Sequence, residues 1–463
     1  MFRLLNSLPT PRLAVIAAAT GIATVALLLV RPSVAYAAGV DEDAAFVFNT
    51  FSFLIWGALV MWMCAGFTML ESGSVRTKNA SMICLKNIGL YSIAALAYFF
   101  IGYNLMYTDV MQVIGMPGFM YGPTGDEVAL LGGDDSAAAS VLANGAGYAT
   151  MSDWFFQMVF VATAASIVSG ALAERVKMWS FLLFTLVLTG IIYPVVGAWT
   201  WGGGWLSDLG FSDFAGSTIV HSTGGWAALA GMLVVGPRLG KFRADGSVRA
   251  TPPSNILVVT LGVFILWFGW IGFNGGSQLG IASVKDAVAM SIVIVNTNLA
   301  AAAGVVVALL VSRPLLGRID LFAILNGAIA GLVSITARPD ITEHYWAVII
   351  GAVGGLVVVL GLKLLEKVKL DDVVGAVPAH LFAGIWGTLA VSITGGAPIH
   401  IQALGILSIG AFVFSVSWGL WQLMEITIKT RVSYDVERLG QDAGELRMES
   451  YPEFVLMPDM DED

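Results

Sequence analysis

Beyond residue 40 the chain alternates long apolar runs with short polar breaks. Eleven runs of roughly 18 to 28 residues are centred near Ala58, Ala95, Thr163, Leu188, Ala228, Leu266, Ala303, Ile329, Gly354, Gly384 and Phe414. A helix rises about 1.5 Å per residue, so about 20 residues cross a hydrocarbon core. Helices satisfy their own backbone groups, which lipid requires, whereas a β-barrel would show short alternating segments. The pattern predicts an all-α polytopic membrane protein with eleven transmembrane helices.

Before the first of these runs, Arg3 and Arg12 precede an apolar stretch from Leu13 to Val30, followed by Ala35-Tyr36-Ala37. A basic start, an apolar core and an A-x-A site predict a cleaved signal peptide over 1–37, with the mature chain beginning near Ala38. The alternative is an uncleaved anchor helix, because the run is long and Arg31 follows it at once. The transmembrane domain is then expected over 38–428 and a tail over 429–463.

Charge in the breaks assigns sides. One alternate set holds Arg76, Lys78, Arg175, Lys177, Arg238, Lys241, Arg243, Arg249, Arg313, Arg318, Lys363, Lys367 and Lys369, and the tail adds Lys429, Arg431, Arg438 and Arg447. The other set has Lys285 and Arg338, and the long break from Asp109 to Asp153 has no basic residue. The positive-inside rule makes the first set cytoplasmic. The mature amino terminus is then outside the inner (plasma) membrane and the tail inside, in agreement with signal cleavage on the outer side.

Composition agrees: 57% of residues are hydrophobic and 12% charged, against about 25% charged in soluble domains. The net charge of −9 is no nucleic-acid footprint. Two cysteines, Cys64 and Cys84, make neither a disulfide framework nor a metal cluster and are read as packing residues. No nucleophile–base set or phosphate-cradling loop suggests an enzyme, and no cofactor is expected.

A distant repeat surrounds two histidines. His221 opens H-S-T-G-G-W-A-A-L-A-G and His380 opens H-L-F-A-G-I-W-G-T-L-A. Five spans separate them, an odd number, so the copies cross in opposite directions. This predicts a five-plus-five inverted repeat with one extra helix and a site near the midplane. Asp213 and Asp372 each lie eight residues before their histidine, at opposite membrane faces. Eight helical residues rise about 12 Å, so both imidazoles arrive near mid-membrane. An intramembrane ionisable residue is a functional candidate by default. The plainer alternative is that each ring bonds a neighbouring helix. A metal is disfavoured, because no Cys, Asp or Glu stands at ligand spacing. His344 and His400 fall in predicted outer loops and receive no role.

Aromatic residues gather at the outer ends. Phe156 and Phe160 share a helix face, Trp201 ends the fourth span, and Trp270 to Ser277 end the sixth. Such rings attract cations, although interfacial belts use the same residues.

These motifs resemble the ammonium transporter family, the Amt branch of the Amt/Rhesus proteins, over about residues 46 to 454. The resemblance rests on D-F-A-G-S-T-I-V-H (Asp213 to His221), W-I-G-F-N-G-G-S (Trp270 to Ser277), G-A-L-A-E-R (Gly170 to Arg175), W-G-G-G-W-L from Trp201, and the run from Asp371 to Ala390. It implies a homotrimer with one pore per subunit, conducting ammonium and methylammonium for nitrogen uptake. Phe156, Phe160, Trp201 and Ser277 would form an outer ammonium-recruiting site, Phe160 and Phe273 a gate, and His221 and His380 a twin-histidine pore. Asp213 would be the buried acid needed for conduction; a carboxylate at a helix start also caps backbone N–H groups. Trp270 and Asn274 are carried over as packing only. An ammonium sensor signalling through its tail is the alternative reading. Pro378 and Leu381 depart from the family's usual surroundings of the second histidine, so a kink and a different inner width are expected there. The tail begins Arg431-Val432-Ser433 as in the family but departs over Gly440 to Met448; the resemblance implies that such a tail couples subunits and meets a PII-type regulatory protein at the cytoplasmic face.

Overall fold

The computed structural model describes residues 40–452. The expected signal segment lies outside the described residues. Within them the apolar runs form helices α1 Glu42–Ser74, α2 Thr77–Tyr107, α3 Thr150–Ala171, α4 Met178–Trp199, α5 Ser217–Val235, α6 Ile256–Gly276 and α7 Val284–Leu316, then α8 Leu321–Ile335, α9 His344–Lys367, α10 Val377–Ile393 and α11 Ile399–Thr427. Each predicted centre falls inside one of these helices. Among the described residues nine are long and apolar enough to cross a membrane, while α8 and α10 are shorter. No strand forms among the described residues beyond two isolated bridges.

α1 shows why the helices assemble. Its buried positions Phe53, Gly57, Val60, Met63, Phe67 and Leu70 recur every three or four residues, so one stripe faces inward. Lipid tails are as apolar as leucine, so helices associate through close packing rather than by hiding from water. Backbones therefore approach at glycines. A Cβ on Gly304 of α7 would stand 2.2 Å from the Gly327 carbonyl oxygen of α8. Only a residue without a side chain lets those helices meet.

The loops after α1, α3, α5 and α9 meet at one end of the bundle, together with the tail. Arg238 bonds Glu174 at 2.8 Å and Asp371 at 2.8 Å, and Arg76 also pairs with Glu174. Arg175 is wholly buried and donates to the Gly236, Ala171, Ala173 and Asp371 carbonyls. Burial pushes the Asp371 carboxyl up, but the Arg238 hydrogen bonds and the charge of Arg175 outweigh it and hold it well below the usual range. The tail joins this network through Arg431, which binds Glu437 at 2.8 Å and the Val235 carbonyl at 3.0 Å. Asp442 caps the start of α2, accepting the Ser81 and Met82 N–H groups at 3.0 and 2.8 Å. The tail segment that departs from the family pattern is thus docked on the bundle.

Some local expectations need correction. Cys64 is half-buried, but Cys84 is exposed and so is no core packing residue. The long break before α3 contains two short helices, Gly125–Leu131 and Ala137–Asn144; Thr124 and Glu127 form a capping box at the first. His344 and His400 begin helices rather than lying in loops.

Candidate functional site

The two histidines sit on a repeated local structure. In each copy an aspartate, a glycine three residues on and a histidine eight residues on recur: Asp213, Gly216, His221 and Asp372, Gly375, His380. Both glycines have positive φ, 109° and 75°, a region that side chains disfavour. This turn folds the following amides onto the carboxylate. Asp213 accepts N–H groups from Gly216, Ser217, Thr218 and Ile219 at 2.8 to 2.9 Å. Asp372 accepts those of Val374, Gly375 and Val377 at 3.3, 2.9 and 2.7 Å. Each satisfies orphan donors at a helix start.

A wide turn follows in both copies, over Ser217–Ser222 and Val377–Phe382. In it the His221 N–H reaches back five residues to the Gly216 carbonyl at 3.0 Å. Such π turns are rare and cluster at functional sites. Pro378 lies in the first turn of α10, where its missing N–H costs nothing. The expected mid-helix kink is therefore absent at this proline. Leu381 packs on Gly225 of α5 and is not among the residues lining the cavity below His380.

Here the two imidazoles meet. Nδ1 of His380 lies 3.3 Å from Nδ1 of His221, and both rings are buried. Their centroids are 5.3 Å apart at 31°. Nε2 of His221 is buried without a hydrogen-bond partner. Trp270 stacks on His221 at 4.8 Å, held by a hydrogen bond from its Nε1 to Thr336 Oγ1 at 2.8 Å. The packing role expected of Trp270 is thus exercised directly against a histidine ring.

Aromatic rings continue the line away from the tail. Phe273 stacks on His221 at 5.3 Å and lies 4.0 Å from Phe160. Phe160 in turn meets Phe156 at 4.8 Å and Trp201 at 6.1 Å. Trp201 donates its Nε1–H to the Asp213 carbonyl at 2.9 Å, which fixes the indole over the histidine-bearing turn. Phe156, Phe160 and Phe273 are all buried and form a continuous stack leading to His221. Ser277 donates its hydroxyl to the Phe273 carbonyl at 2.8 Å, leaving its lone pairs free to accept.

Toward the tail, Phe67 faces His380 at 6.4 Å. A small cavity follows, lined by His380, Phe67, Ser166, Asn326 and Glu71. Neither Phe67 nor Glu71 was singled out from the sequence, although an acidic residue inside an apolar run is itself a signal.

This geometry has known relatives. Residues 51–451 match the Ammonium Transporter Family. The ammonium transporter Amt2 of Archaeoglobus fulgidus is 38% identical over 434 residues, covering 87% of this chain and 88% of its own. A solved sensor Amt protein superposes with a TM-score of 0.79 at 34% identity, over 88% of this chain and all of its own (100%). The crystal structure of Candida albicans Mep2 gives a TM-score of 0.72 at 26% identity, over 86% and 89%.

Proposed function

Because the chain belongs to the Ammonium Transporter Family, we propose that this multi-pass membrane protein gathers ammonium at its outer aromatic cluster and conducts ammonia between His221 and His380 into the cytoplasm. The observation that carries the reading is the pair of buried imidazoles in Nδ1–Nδ1 contact at 3.3 Å.

The chemistry follows from that contact. For two neutral rings to share it, one Nδ1 donates and the other accepts. The donor ring then offers an accepting Nε2 and the other ring a donating Nε2–H. Ammonia has both N–H donors and one lone pair, so it can be passed along such a pair. Ammonium has no lone pair and would carry a charge into a low-dielectric core at a cost of several kcal/mol or more. The rings of Phe156, Phe160 and Trp201 favour the cation before the barrier. Phe160 and Phe273 then form the gate, and Ser277 offers an acceptor beside it. The proton is left outside or travels separately along the histidines. Asp213 organises this entrance by holding the α5 turn on which His221 stands.

The short helices α8 and α10 complete eleven spans in this reading, and the duplicated Asp–Gly–His turns are the two halves of an inverted repeat. The basic loops and the docked tail face the cytoplasm. A homotrimer and a PII-type partner at the tail face are further parts of the proposal. Cells expressing the protein should take up labelled methylammonium, and a His221→Ala, His380→Ala double variant should abolish selective uptake. Unchanged uptake by that variant removes the histidines from the mechanism.

A second reading, an ammonium sensor signalling through its tail with little flux, is favoured by the likeness to the sensor Amt protein. Proteoliposomes that bind ammonium without any flux would select it.

A further inference from the structure

We propose that Glu71 forms a second ammonium-binding site, at the tail-side end of the histidine pair, where the solute leaves as a cation. This inference rests on the conduction reading above.

The cavity beside His380 is lined by three polar side chains that present acceptor oxygens: Glu71, Ser166 and Asn326. Glu71 of α1 is 1% exposed, and its Oε1 has no hydrogen-bond partner. Its Oε2 is already used, accepting from Ser169 at 2.7 Å and Asn87 at 3.3 Å. Ser166 commits its hydroxyl hydrogen to the Ala162 carbonyl at 3.1 Å, so only its lone pairs remain. Asn326 gives one of its two amide N–H groups to the Phe322 carbonyl at 3.1 Å, and its Oδ1 and Nδ2 stand 3.0 and 3.2 Å from where a Cβ on Gly375 would lie. All three residues line the same cavity as His380.

A buried acceptor left without a donor is costly. Water brings as many acceptors as donors. Ammonium brings four N–H donors, no acceptor and a positive charge, which suits a carboxylate with an open oxygen. Lys86 faces this site from α2. It donates to the Ser169 carbonyl at 3.1 Å and lies 4.7 Å over Phe181, without a direct ion pair to Glu71. Its own hydrogen bond to Ser169 leaves Oε1 of Glu71 open. Ammonia arriving past His380 takes a proton from water at this mouth, giving ammonium and hydroxide. The carboxylate holds the cation before it enters the cytoplasm.

The test uses the full chain in proteoliposomes of known orientation. Glu71→Gln keeps the shape and removes the charge. Glu71→Gln with Lys86→Met also removes the partner charge, so folding does not depend on a lone buried lysine. Both variants should raise the ammonium concentration for half-maximal flux from the tail side by about tenfold or more, the loss of one charge-assisted hydrogen bond, and change it from the outer side by no more than about twofold. Infrared difference spectra on adding ammonium should show a carboxylate band in the wild type that both variants lack. Equal shifts from both sides, an unchanged tail-side value, or a wild-type spectrum without that band overturns the proposal. A wild type without ammonium flux defeats the conduction reading, whereas the infrared band still reports on Glu71.

Discussion

Asp213 gathers four backbone N–H groups onto two oxygens and so holds the start of the helix that carries His221. Asp213→Ala leaves those donors buried and unpaired and should destabilise the fold by about 2 kcal/mol or more. Asp213→Asn keeps acceptors on one side and should lose less. Thermal melting of the purified variants checks the order, and equal melting of Ala and Asn variants contradicts the capping role. At this scale the sequence was partly legible. The matching spacing of His221 and His380 from their aspartates was visible in the sequence, but the eight residues between are a glycine turn and a wide turn rather than the continuous α-helix that the count assumed. The ring contact at 3.3 Å did not follow, since it depends on two helices crossing. Glu71 and Phe67 share a cavity with His380 from a distant helix, and no spacing along the chain announces that.

Helices gave the clearest sequence signal, because each must fill a bilayer thickness with apolar residues. Their irregularities gave little. The wide turns at Ser217–Ser222 and Val377–Phe382 arise from a glycine turn held by a carboxylate, and hydropathy is blind to both. Pro378 read as a kink because the start of α10 was placed too early; it lies instead in the first turn. Close packing is a property of helix pairs. Gly304 meets the Gly327 backbone, and a Cβ there would also stand 3.1 Å from the Gly331 Cα. Gly304→Leu should therefore force α7 and α8 apart and cost at least about 1–3 kcal/mol. A melting temperature equal to the wild type would show that the helices can shift freely.

Across the whole molecule, one buried charge network ties four loops and the tail together. Arg238, Glu174 and Asp371 are each at most 5% exposed. Arg238→Ala removes the ion-pair partner of buried Asp371 and one of the two of Glu174, and should cost about 3–5 kcal/mol, read as a lower melting temperature in detergent. Because Asp371 is held below its unfolded value, its contribution is present above the usual carboxyl range and is lost as pH falls through and below it. Melting temperature should therefore drop as pH falls below about 4, and Asp371→Asn should flatten that slope; an unchanged slope contradicts the assignment. The same network brings together four of the five loops that charge counting had grouped, and the tail, since Arg76, Glu174, Arg238, Asp371 and Glu437 meet there. Flux is the property of the whole conduit, and purified protein in liposomes loaded with a pH dye tests it most directly. An ammonium pulse should alkalinise the lumen faster than in empty liposomes, and a potassium pulse should not. The His221→Ala, His380→Ala variant should lose that response or lose its preference for ammonium; an intact, ammonium-selective response in that variant would contradict the account.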